Sequence, residues 1–126
     1  MIDIQDSRLF FDLLHFQLYK DFSVKQIAFY IDGYYEKDRS GNITEPWIYE
    51  FKEFINLIVT KKFLNIDYRY PQGYYSIITQ YQQSNEDGLN LFYEIFYEYC
   101  ELHIPDFKLN LEKYLSRATK HLPSDS

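Results

Sequence analysis

Apolar side chains recur at three- and four-residue intervals through most of this chain, the spacing that lines one face of an α-helix, and start and stop residues bracket the runs. Over residues 24–36, Val24, Ile27, Ala28, Ile31, Tyr34 and Tyr35 share one stripe, and Ser23 stands as N-cap with Gln26 three residues on to complete a capping box. From Pro46, with Thr44 as cap and proline in the first turn, where its missing N–H costs nothing, Trp47, Phe51, Phe54, Ile55, Ile58 and Val59 align as far as Lys62. Residues 85–87 offer caps and N-terminal negative charge to a helix whose inward stripe is Leu89, Phe92, Ile95, Phe96 and Tyr99 and which ends before Pro105. Asp106 caps a last helix, in which Phe107, Leu111, Tyr114, Leu115, Ala118 and Leu122 align and Arg117, Lys120 and His121 sit toward the carbonyl end. Residues 123–126 make a frayed tail.

Two stretches are less regular. Residues 7–20 are apolar almost all round, which suits a central helix covered on most sides. Residues 63–83 fit two periods: Leu64, Ile66, Tyr68 and Tyr70 alternate with polar residues before Pro71-Gln72-Gly73, whereas Tyr74, Ile77, Ile78 and Tyr81 make one helical face. The expected fold is all-α, one bundle of five or six helices over residues 1–126, with an α+β fold carrying a β-hairpin at 63–83 as the alternative. Aromatic residues are 21% of the chain against only 4 Gly and 4 Pro, which excludes a disordered polymer. No repeat or linker divides the sequence, although residues 37–44 read as an exposed connection.

Catalytic and cofactor chemistry finds little to use. Cys100 is the single cysteine, as is usual in a reducing compartment, so a cytoplasmic location is expected. Cys100 and His103 have a spacing that aims two ligands one way, but a zinc site wants three or four, and a buried thiol beside an edge imidazole is the simpler reading. His15 and His121 have no Ser or Cys at a telling spacing. The glycines are isolated and form no phosphate loop, and Glu94 and Glu98, one turn apart on a polar face, read as solvated carboxylates. The expectation is a non-enzyme without cofactor or metal. The first residues carry two acids before Arg8 and lack a secretory start, and no apolar run is long enough to span a bilayer.

Charge is the informative property. The net charge is −6, and residues 70–107 contain no Lys or Arg while holding Glu86, Asp87, Glu94, Glu98, Glu101 and Asp106, so that window accounts for all of it. Direct nucleic-acid binding needs the opposite sign. The same window holds seven of the fourteen tyrosines. Tyr93, Glu94, Tyr97, Glu98 and Glu101 are placed opposite the core stripe of their helix, with no basic residue to neutralise them locally; Phe29, Asp32 and Glu36, then Tyr49, Glu50 and Glu53, give two smaller versions. Tyrosine supplies rigid contact area and unneutralised carboxylates favour a cationic partner, so Phe29, Asp32, Glu36, Tyr49, Glu53, Tyr93, Glu94, Tyr97, Glu98 and Glu101 are the candidate partner-binding residues; a merely solvated face would share the pattern.

The segment Leu13-Leu14-His15-Phe16-Gln17-Leu18-Tyr19-Lys20-Asp21-Phe22-Ser23 with residues 24–36 resembles the opening helical hairpin of helical colicin immunity proteins. The short, acidic, aromatic-rich chain is also similar to small bacterial immunity proteins of colicin-type and contact-dependent growth inhibition toxins. The resemblance implies a stoichiometric inhibitor, monomeric when free, that binds a cognate cationic toxin domain, a nuclease, without touching nucleic acid or membrane. The alternative is an acidic secretion chaperone or adaptor that holds a partner segment in a helical groove to which Phe11, Phe16 and Leu18 contribute.

Overall fold

The computed structural model describes residues 2–20, 22–41, 43–66 and 73–123. After a 3-10 turn at Ile4–Asp6 come six α-helices: α1 Arg8–Tyr19, α2 Val24–Ser40, α3 Trp47–Leu64, α4 Tyr74–Tyr81, α5 Asn85–His103 and α6 Phe107–Thr119. The fold is all-α, and no strand occurs among the described residues. This overturns the hairpin alternative at 63–83. There α3 runs on through Leu64, and Tyr74, Ile77 and Ile78 are buried at helical spacing on α4; residues 67–72 of that alternative lie outside the described residues. Asn65 ends α3 in the left-handed region (φ 55°) with its N–H on the Lys61 carbonyl, and Gly73 precedes α4 at φ 20°, where a side chain would be strained.

Local chemistry sets most of the boundaries. The capping box of α2 is complete: Ser23 Oγ accepts from Gln26 N at 3.2 Å, and Ser23 N donates to Gln26 Oε1 at 2.8 Å. The helix continues past Glu36 to Ser40, with Lys37 and Arg39 in its last turn, where cations favour the carbonyl end.

Three predicted caps are corrected. Thr44 does not cap α3, whose N-cap position is Pro46, two residues on; its N–H and hydroxyl instead both donate to Asp38 Oδ1, at 3.0 and 2.8 Å. Slight burial works to raise the Asp38 pKa, but these donors and Glu45 N outweigh it and hold the carboxyl below its usual value. For α5 the cap is Ser84, one residue before the predicted group, accepting from Asp87 N at 3.1 Å. Asp106 occupies the N-cap position of α6 but adopts φ 56° and makes no side-chain cap bond. That helix ends at Thr119, so Leu122 is exposed instead of extending its inward stripe; residues 124–126 lie outside the described residues.

The helix α5 packs against α2, α3, α4 and α6, while α1 lies mainly along α6. Phe10, Phe51, Phe92, Phe96 and Tyr99 are fully buried, and Phe96 meets Phe51 at 5.4 Å and Phe10 at 6.1 Å between ring centroids, tying α5 to α3 and α1. At Gly88 the α5 backbone comes so close to its neighbours that a Cβ would lie 3.2 Å from both Ile78 Cγ2 and Val24 Cγ2. Gly88→Leu is therefore expected to push α5 off α2 and α4 and lower stability by about 1–3 kcal/mol, read as a reduced urea midpoint at unchanged m.

Cys100 is buried, and burial pushes its thiol pKa up, which disfavours the reactive thiolate. Among the described residues no helix is long and apolar enough to cross a membrane.

Candidate functional site

The fifth helix carries the acids outward on a rigid support. Its opposite side is clamped into the core by Phe92, Ile95, Phe96, Tyr99 and Cys100, whereas Glu86, Asp87, Glu94, Glu98 and Glu101 are all exposed. From Asp87 to Glu101 this stripe runs about 21 Å at the helical rise of 1.5 Å per residue. Glu101 pairs with Lys108 at 3.1 Å, so the expectation that no basic residue neutralises these acids is corrected there. Glu86, Asp87, Glu94 and Glu98 have no ion pair among the described residues.

The tyrosines predicted beside them do not stand out with them. Tyr93 is buried, its hydroxyl donates to the Leu13 carbonyl at 2.6 Å, and desolvation pushes its pKa up. It is not an outward binding residue. Four residues beyond Leu89, it lies only about 40° around the helix from that inward side chain, on the flank of the core and not opposite it. Tyr97 is half-buried; its ring packs on Phe107 at 5.7 Å and its hydroxyl donates to Gln17. Burial raises the Tyr97 pKa more than this contact lowers it.

The two smaller patches are partly compensated. Asp32 pairs with Lys52 at 2.7 Å and Glu36 with Arg39 at 3.8 Å, exposed or half-exposed pairs of small energetic weight. Glu53 is half-buried on α3. Phe29 is 51% exposed against Tyr75, and Tyr49 is 50% exposed, stacked on Tyr35 at 6.1 Å. These residues sit on α2 and α3, while Glu94, Glu98 and Glu101 sit on α5.

Two features had no clear signal in the sequence. One is a groove of about 570 Å³ between the end of α1, the first half of α5 and Leu115 of α6, walled by Phe16, Leu18, Leu89, Tyr93 and Tyr97. Phe16 and Leu18 of the predicted adaptor groove line it; the third predicted residue, Phe11, does not, being buried with the Arg117 guanidinium 4.5 Å over its ring.

The other is a buried polar cluster. Asp12 is fully buried on α1, and its Oδ2 accepts from Tyr30 and Tyr34 hydroxyls at 2.7 and 2.8 Å. Its Oδ1 lies 2.5 Å from His121 Nε2. An ionised carboxylate only accepts, so Nε2 carries the proton in this contact. His15 likewise donates from Nδ1 to the Ala118 carbonyl at 3.1 Å, so both histidines fasten α1 to the end of α6. No protein-family model matches the chain, and neither does any curated protein or solved structure.

Proposed function

We propose that this chain is a protein inhibitor of the immunity type, acting in the cytoplasm, which captures a cationic toxin domain through the acidic face of α5. The carrying observation is the line of exposed carboxylates, Asp87, Glu94 and Glu98, without ion pairs among the described residues on a helix fixed by its other side. Aligned carboxylates at fixed spacing repel one another and gain when a cationic surface arrives, and a nuclease cleft is such a surface because it must hold phosphates. Binding there would place the inhibitor in the field that attracts the nucleic acid. The resemblance of residues 13–36 to an immunity-protein hairpin supports the same reading. With Tyr93 inside and Tyr97 half-covered, the acids of α5 supply steering, and contact area comes from elsewhere on the surface.

The test uses a cationic toxin domain encoded beside this chain. Co-expression with this protein should restore growth, and stopped-flow association should be fast and strongly salt-dependent. The triple variant Glu94→Lys, Glu98→Lys, Glu101→Lys should slow association at low salt by about tenfold to a hundredfold, with a smaller change in dissociation. Association that is unchanged by the triple reversal would remove α5 from the interface. A homodimer persisting on dilution in size exclusion with light scattering would favour the adaptor reading instead.

A further inference from the structure

The groove between α1, α5 and α6 is continuous with the acidic stripe. Asn90 lines the groove, and Glu94 follows it one turn along α5. The Tyr93 hydroxyl is satisfied by the Leu13 carbonyl and the Tyr97 hydroxyl by Gln17, itself a lining residue, and both side chains line the groove with Phe16, Leu18, Leu89 and Leu115. Gln17, Asn85 and Asn90 add amides able to bond a passing main chain, Glu86 adds a carboxylate, and among the described residues Lys20 is the one cation of the lining. The last turn of α1 also borders the groove with its carbonyl end, which carries partial negative charge.

We infer that this groove takes an aromatic side chain from a lysine- or arginine-bearing segment of the protein partner. The proposal rests on the acidic-face reading above and adds to it where the contact area lies. Its volume of about 570 Å³ holds a bulky ring with room for the adjoining main chain, and the walls offer that ring aromatic and aliphatic neighbours. The cations that flank the ring in the segment then meet Glu86 within the groove and Glu94 beside it. An acidic segment would meet the same carboxylates at a loss. This division of labour is common at protein interfaces: charges speed encounter, and a ring in a pocket slows escape.

The probes are the peptides Lys-Lys-Trp-Lys-Lys, Lys-Lys-Ala-Lys-Lys and Glu-Glu-Trp-Glu-Glu, each titrated into the isotopically labelled protein and followed by its amide NMR signals. The tryptophan-bearing lysine peptide should shift Leu89, Asn90 and Leu115 and bind about tenfold more tightly than the alanine peptide. Leu89→Gln, or Leu18→Gln at an exposed position, should erase that difference and leave the alanine peptide's affinity unchanged. Equal binding by both lysine peptides, with shifts confined to Asp87, Glu94, Glu98 and Glu101, would overturn the groove while sparing the acidic face. Tight binding of the glutamate peptide in the groove would overturn the cationic segment and count against the acidic face as well. No shift in the groove at millimolar peptide would also overturn the inference.

Discussion

Asp12→Ala is expected to lower folding stability by about 3–5 kcal/mol, the usual cost of removing one partner from a buried charged network. The carboxylate is fully buried and satisfied by Tyr30, Tyr34 and His121, which come from α2 and from just beyond α6. Removing it takes one acceptor from three donors at once, so the loss exceeds that of any one bond. Tyr30→Phe and Tyr34→Phe should each cost only about 1 kcal/mol, because each deletes a donor and leaves the carboxylate its other contacts. Asp12→Asn keeps an acceptor for the tyrosines but turns an amide toward the His121 N–H, and should fall between. Urea unfolding of the four variants measures this series. A loss under about 1 kcal/mol for Asp12→Ala would show that the cluster contributes little net stability.

Phe96→Ala is expected to cost a comparable amount, about 3–5 kcal/mol, by a different route. Its ring is fully buried and touches Phe10, Phe51, Phe92, Tyr93 and Tyr97, so truncation opens a cavity where three helices meet. The rings around it are held by their own neighbours and cannot all collapse inward, which keeps the cavity term large. Leu109→Ala is the matching control: at 84% exposure it should change stability by no more than about 0.5 kcal/mol. Thermal and urea midpoints for the pair give the contrast directly. Since small domains hold only about 5–15 kcal/mol in total, either large loss should also populate the unfolded state measurably.

The helices were legible because their apolar stripes and local caps are short-range properties. Ser23 and Gln26 lie three residues apart and needed nothing else to define the start of α2. The outward acids of α5 were legible for the same reason, since a carboxylate opposite a stripe of Phe and Ile has nowhere to go but solvent. What escaped depended on distant partners. Tyr93 is amphipathic, and its burial is satisfied by a carbonyl eighty residues away. Asp12 looked like an interruption in an apolar run, yet its partners lie 18, 22 and 109 residues along the chain. Thr44 binds Asp38 on α2, while the α3 N-cap position falls two residues later at Pro46. In residues 63–83 both periods were present, and the burial of Tyr74, Ile77 and Ile78 decided for the helix.

The bond between Asp12 and His121 also bears on how the protein is made. During translation the segment holding α1 leaves the ribosome early, with a carboxylate that the finished core will not tolerate unpaired. Tyr30 and Tyr34 follow soon after, but the imidazole and the α6 surface that covers α1 emerge last. The burial of α1 is therefore completed only when the segment around α6 is present. Chains cut back to end before residue 107 should thus leave α1 more open to protease than it is in the intact chain.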